Sequence, residues 1–212
     1  TPEFSGHQPI DPDALKQLPV IDIVENMRSD PTDYKAFVKN FENPAFWQKM
    51  GYVRGTESFN IPTLIIDTWH DPGIGSTMAL ASTLRKAGAP VSAIIAAGTH
   101  CGYLGTDQKT MVGDLMISPD ETFGFVETIS QFLQHHLADA PAPELSYLSY
   151  FSLVENRWHS AQEWPPENTR ETRFYLDGSG ALSRDPTKIN PSPRKFLSDP
   201  SDPVPSIGGA IC

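Results

Sequence analysis

The sequence predicts an α/β fold, and three features carry that expectation. Two short apolar runs, Leu64 to Ile66 and Ile94 to Ala97, are continuous rather than alternating and end in Gly or Asp, as strands covered on both faces do. A helical stretch with clear start and stop signals separates them. Finally, 212 residues with 39% hydrophobic content are enough to bury a core in one or two domains.

Residues 1–58 open on turn-rich sequence and continue as YKAFVKNFENPAFWQKMG, where Tyr34, Phe37, Val38, Phe41, Phe46 and Trp47 give short helices an aromatic face. Pro44 breaks the run. The segment is too interrupted for one long helix and too aromatic for a solvated linker, so it is read as a helical cap or inserted segment.

Residues 59–140 read strand, helix, strand, loop, helix. Asp71, Pro72 and Gly73 open the first helix, and Arg85 and Lys86 before Gly88 close it, placing basic charge where the helix dipole favours it. Ser118, Pro119, Asp120 and Glu121 carry an N-cap signature for the second helix. From residue 141 the texture turns to β: LSYLSYFSLVENRW, then TRETRFYLDGSGALS, with proline-rich stretches between and after. A β-sandwich beginning here is the expectation for residues 141–212.

Acidic residues outnumber basic ones 26 to 16, a formal charge of −10, which argues against nucleic-acid or anionic-membrane partners. No apolar run approaches the roughly 18 to 20 residues needed to span a bilayer, and residues 1–15 lack the basic-then-apolar order of a signal peptide. The two cysteines, Cys101 and Cys212, set up no disulfide framework and no zinc spacing. No metal or cofactor is implied. The sequence does not fix a compartment, and it leaves a homo-oligomer open.

In open parallel sheets, functional residues gather at the carboxyl ends of strands, and Asp71 and His100 both fall just beyond predicted strands. Their 29-residue interval fits one helix and one strand. In the Ser, Asp, His order of an α/β-hydrolase, Asp71 would hold the Nδ1 proton of His100, and His100 would act as base. The plainer alternatives stay open at this point: Asp71 as a helix N-cap and His100 as an idle loop residue.

Five stretches, in order, then resemble one family: IPTLIIDTWHDPGI, AGTHCGY, ENRWHSAQEWPP, RFYLDGSGALS and SDPVPSIGG, spanning residues 59–209. They are similar to the late strand, histidine loop and two C-terminal segments of the CocE/NonD (cocaine-esterase-like, X-Pro dipeptidyl-peptidase-type) acyl esterases, and NPAFWQK resembles that family's cap. The resemblance implies the C-terminal part of an α/β-hydrolase domain with a helical cap segment, followed by the start of a jelly-roll β-sandwich that stops early at Cys212. It implies a small-molecule ester (or amide) substrate and matches Asp71 and His100 to the triad acid and base. Trp69 and His70, beside Asp71, are candidates to line a substrate pocket.

One departure qualifies this resemblance. No G-x-S-x-G occurs in the 212 residues, so the nucleophile elbow is absent. Ser76 has Ile74 and Met78 where glycines are needed and reads as a surface or capping serine. The serine is therefore expected on a missing N-terminal segment, with this chain truncated, processed or partnered, and inactive alone. Without such a segment, a non-catalytic binding module is the alternative. An amino-acid ester hydrolase is disfavoured because Pro72, Gly73 and Ile74 follow Asp71 where acidic residues would hold an ammonium group, and an X-Pro dipeptidyl-peptidase is the less favoured peptidase variant. Cys101 is disfavoured as a nucleophile because it lies in the histidine loop rather than on an elbow. His135 and His136 close a helix, and Trp158 and Trp164 read as packing residues.

Overall fold

The computed structural model describes residues 13, 16–27, 32–50, 56–100, 102–190, 192–199 and 201–204. The chain divides into two compact units, Thr1–Arg54 with Lys195–Val204, and Gly55–Arg194 with Pro205–Cys212.

The first unit carries three short helices, α1 (Ile23–Met27), α2 (Tyr34–Lys39) and α3 (Pro44–Lys49). Pro44 opens α3 rather than interrupting a longer helix, and the Asn43 side chain accepts the Phe46 N–H at 3.4 Å. Phe37 stacks on Trp47 with ring centres 5.6 Å apart, and Phe46 meets both edge-on. These rings supply the apolar contact that such short helices cannot do without.

The second unit is built on a four-stranded sheet. β1 (Thr63–Thr68) leads through α4 (Ile74–Lys86) to β2 (Val91–Ala96), which lies parallel to β1 with Ile66 opposite Ile94. A short 3₁₀ turn at Tyr103–Asp107 and the hairpin β3 (Thr110–Val112) and β4 (Leu115–Ile117) follow, then α5 (Phe125–Ala138). β5 (Leu148–Ser152) adds parallel to β2, and β6 (Arg157–Ala161) returns antiparallel, giving the order β1-β2-β5-β6. A small hairpin, β7 (Tyr175–Leu176) with β8 (Leu182–Ser183), stands apart from this sheet.

Side-chain alternation sorts the core into two layers. Ile65, Ala93, Ile95 and Leu148 face α4 and pack on Ala81, Ile74 and Met78. Leu64, Ile66, Ile94 and Ala96 face the other way and pack on Phe125 of α5. Ile95 and Leu148 are fully buried, each stabilising the fold by about 1.5–3 kcal/mol through transfer from water. The helix α4 ends as its sequence dictates. Gly88, at φ +97°, donates to the Arg85 carbonyl, and Ala89 donates to Leu84, the paired bonds of a Schellman stop.

Two expectations need correcting. Residues 148–161, assigned to a separate β-sandwich starting at 141, belong to the α/β sheet, because Leu148 and Tyr150 pair with Ala93 and Ile95 of β2. Local alternation is the same in either setting, and only the pairing partner separates them. The second helix also begins at Phe125, seven residues after the Ser118 signature. Its start is fixed from a distance: the Asp107 carboxylate accepts the N–H groups of Phe123 (2.7 Å) and Gly124 (3.1 Å), and Gly124 takes the left-handed conformation that the entry requires.

Candidate active site

Because β1 and β2 run parallel, their carboxyl ends share one edge, and the chain leaves both strands there. The pairing continues past the strands proper: Trp69 donates to Ala96 O at 2.9 Å and His70 to Gly98 O at 3.3 Å. Asp71 then turns back, its N–H on Thr68 O at 3.2 Å, and enters α4. On the other strand, Gly98, Thr99 and His100 follow β2, and Gly102 N–H returns to Thr99 O at 2.8 Å, a tight turn. Only glycine fits at 98, since a Cβ there would lie 2.8 Å from the Gly102 carbonyl oxygen. The loop brings His100 over the β1 edge.

The two turns bring Asp71 and His100 into direct contact. His100 Nδ1 donates to Asp71 Oδ2, while Asp71 Oδ1 accepts the Gly73 N–H at 2.6 Å. The Asp71 side chain is 13% exposed and that of His100 51%. The His100 hydrogen bond, followed by the Gly73 N–H, holds the Asp71 carboxyl below the usual carboxylate range. One Asp71 oxygen thus holds the turn that leads into α4, whose N-cap position is Gly73 rather than Asp71, and the other is bonded to the imidazole. With Nδ1–H committed to the carboxylate, the neutral His100 ring presents Nε2 as a proton acceptor, the arrangement a general base needs.

The neighbours separate into different roles. The Trp69 indole N–H donates to Phe151 O at 2.6 Å, and its ring packs on Tyr150 and Trp164, so Trp69 sits in the packing under the edge. His70 Nδ1 donates to Ala97 O at 3.0 Å, which turns this ring away from the carboxylate. Ser76 is exposed on α4. His135 donates from Nδ1 to Ala140 O at the end of α5, where its ring lies against His136. Trp158 is packed among Phe123, Phe125 and Phe151. Cys101 and Cys212 lie outside the described residues. Sequence reasoning missed the parts played by Gly73, Gly98 and Gly102, although the glycines flanking Thr99 and His100 in GTHCG were a readable sign of a tight loop. A cavity of about 200 Å³ adjoins this loop, lined by Gly98, Thr99, Gly102, Thr106 and Thr110 among others.

No family model matches the chain. Among curated proteins it is 26% identical to the cocaine esterase of Rhodococcus sp. over 80% of its length, covering 31% of that protein. It is also 32% identical over 71 residues to proteins of Mycobacterium bovis and Mycobacterium tuberculosis named as serine esterases, 11% of each. The chain therefore spans about a third or less of these relatives. In structure it is similar to an aminopeptidase from a marine sediment Thaumarchaeota archaeon, with a TM-score of 0.50 and 19% identity over 76% of this chain and 30% of that one. That likeness concerns the fold.

Proposed function

We infer that this chain, a relative of the cocaine-esterase-like (CocE/NonD) acyl esterases, supplies the acid and the base of a serine hydrolase whose nucleophile lies outside its 212 residues. The observation that carries this reading is the Asp71–His100 hydrogen bond at the shared carboxyl edge of two parallel strands. An idle capping aspartate has no need of an imidazole across the edge, and a loop histidine has no need of a carboxylate.

The chemistry follows from the geometry. His100 Nε2 takes the proton of a serine hydroxyl as that oxygen attacks the ester carbonyl, and Asp71 stabilises the imidazolium that results. On collapse of the tetrahedral intermediate, the same Nε2 proton passes to the leaving alcohol. Water then repeats the cycle on the acyl-enzyme. The substrate class is a carboxylic ester, a choice supported by the esterase names of the relatives in sequence. His70 remains a candidate to contact substrate, since its Nε2 has no partner among the described residues. Trp69 acts through packing. The chain alone is inactive, because removal of a triad serine costs on the order of 10⁶ in kcat in a protease of the same chemistry.

The test is the intact mass of the protein purified from its source, together with labelling by a fluorophosphonate. A labelled serine outside these residues, on a protein heavier than 23.4 kDa, is the expected result. A 23.4 kDa protein that resists the label would leave a non-catalytic binding module in its place.

A further inference from the structure

The hairpin of β7 and β8 is crossed by a second piece of chain, and one carboxylate and two glycines build the crossing. Asp177 opens the turn: its Oδ1 accepts the Ser179 N–H at 2.7 Å, and its Oδ2 accepts the N–H of Asn190, thirteen residues further on. Gly178 N–H donates to Asn190 O at 2.9 Å, which lays the chain at 190 against the turn. A Cβ at Gly178 would collide with the Ser192 carbonyl oxygen, and one at Gly180 with the Arg194 guanidinium. Bare backbone at both positions therefore admits the crossing chain and seats Arg194 on the hairpin.

The crossing encloses a cleft of about 470 Å³, within the size range of small-molecule sites. Its lining is of two kinds. The Arg194 guanidinium, the Ser192 hydroxyl and the Asn190 side-chain amide are donors without a partner among the described residues. Leu176 and Leu182 are the apolar part; they stand opposite one another across the hairpin and are 84% and 61% exposed, so no described residue covers them. Asp177 also lines the cleft, but no ion pair joins it to Arg194, and its oxygens are engaged by the turn. The Ser179 hydroxyl, followed by the Asn190 and Ser179 N–H groups, holds this carboxyl below the usual carboxylate range. The cleft thus keeps one fixed negative charge near its one cation.

We propose that this cleft binds a monoanionic carboxylate with an apolar chain, the carboxylate on Arg194, Asn190 and Ser192 and the chain on Leu176 and Leu182. The planar guanidinium fork matches two carboxylate oxygens, and the neighbouring amide and hydroxyl add neutral donors to the same head group. Asp177 disfavours a dianion such as a phosphate monoester, and Arg194 disfavours an amine. The paired leucines give an alkyl or aryl tail apolar surface to cover. This inference goes beyond the esterase reading and does not depend on it, since it uses none of the residues at the Asp71–His100 edge.

Octanoate, titrated at pH 7 into the 212-residue chain and followed by amide chemical shifts, is the probe. Saturable shifts confined to residues 176–182 and 190–194 are expected. Butanoate should bind more weakly, by up to about fourfold for each methylene removed, and neutral 1-octanol about five- to tenfold more weakly than octanoate. Arg194→Gln should weaken octanoate by a similar five- to tenfold and flatten the salt dependence of its binding. Gly178→Ala, which drives the crossing chain off the hairpin, should abolish binding while the His100 Nδ1 proton resonance stays in place. Octanoate that gives no saturable shifts, or that binds the Arg194→Gln variant as well as the parent, would overturn the proposal. Equal binding of butanoate and octanoate would remove the leucine pair from the site, and with it the ligand class. If octanoate binds the chain but not the longer protein purified from its source, a further segment fills the cleft and the proposal falls. Fluorophosphonate labelling is indifferent to all these outcomes and tests the triad alone.

Discussion

A methyl group added at two glycines should act in opposite directions, and the contrast tests how the His100 loop is held. At Gly98, a Cβ would lie 2.8 Å from the Gly102 carbonyl oxygen, 2.9 Å from its carbon and 3.2 Å from the Thr106 methyl. Ordinary contact needs about half an ångström more, and the nearest atoms are backbone, which cannot rotate away. Forcing the loop apart should cost about 1–3 kcal/mol, as overpacking does elsewhere. The smaller conformational freedom of alanine in the unfolded chain returns about 0.4–1 kcal/mol, too little to reverse the sign. At Gly75, exposed in the first turn of α4, nothing lies within 4 Å of the added atom. Gly75→Ala should stabilise by about 0.5–1 kcal/mol. Urea unfolding of the chain measures both, and the downfield Nδ1 proton resonance of His100 reports whether its bond to Asp71 survives. Gly98→Ala is expected to lower the midpoint and weaken that resonance, whereas Gly75→Ala raises the midpoint and leaves the resonance alone. A Gly98→Ala protein as stable as the parent, with the resonance intact, would refute the steric account of the loop.

Three further outcomes follow from the same structure. On the proposed triad, Asp71→Asn in the source protein should lower kcat by roughly 10⁴ and His100→Ala by roughly 10⁶, with KM little altered, as steady-state ester hydrolysis would reveal; a raised KM at unchanged kcat would point to binding instead. Asp107→Ala strips the acceptor from Phe123 and Gly124 N–H and should cost about 0.5–2 kcal/mol, with faster amide exchange confined to the start of α5. Acid should weaken the fold partly through Asp71. Its folded pKa lies below its unfolded value of about 3.9, so its stabilising contribution is complete above that value and lost as pH falls through the lowered one. An acid titration of Asp71→Asn should accordingly be shallower than the parent's below about pH 4 and parallel to it above.

The sequence exposed some of this structure because certain signals are local. The runs at 64–66 and 94–97 have the short, continuous apolar character of covered strands, and Arg85, Lys86 and Gly88 stop α4 through groups within one turn of each other. The meeting of Asp71 with His100 is of the same kind: parallel strands send their next loops to one edge, although spacing left the plainer readings open and the family resemblance singled out the pair. The failures are tertiary. Ser118 and Pro119 spell a helix start, but the cap that operates comes from Asp107, over a dozen residues upstream. The alternation around Leu148–Ser152 suits any half-buried strand and says nothing of β2 as its neighbour. The hairpin of β3 and β4 is a different case, since Gly113 and Asp114 between TMV and LMI are a recognised two-residue turn and could have been read.

The Trp69 indole reaches across the sheet edge to the Phe151 carbonyl, a contact that joins residues 82 apart in the chain. Trp69 stands only two positions before Asp71, so the acid's turn is anchored by a strand synthesised long after it. Closing so long a loop is entropically costly, and contacts of that kind form late. β1 and β2 can therefore zip locally and carry the Trp69 and His70 amides with them, whereas the indole finds its acceptor only when β5 docks. Pulse-labelled exchange during refolding should find the Trp69 indole N–H protected no earlier than the amides of residues 148–151, and the Trp69 and His70 amides protected together with β1 and β2.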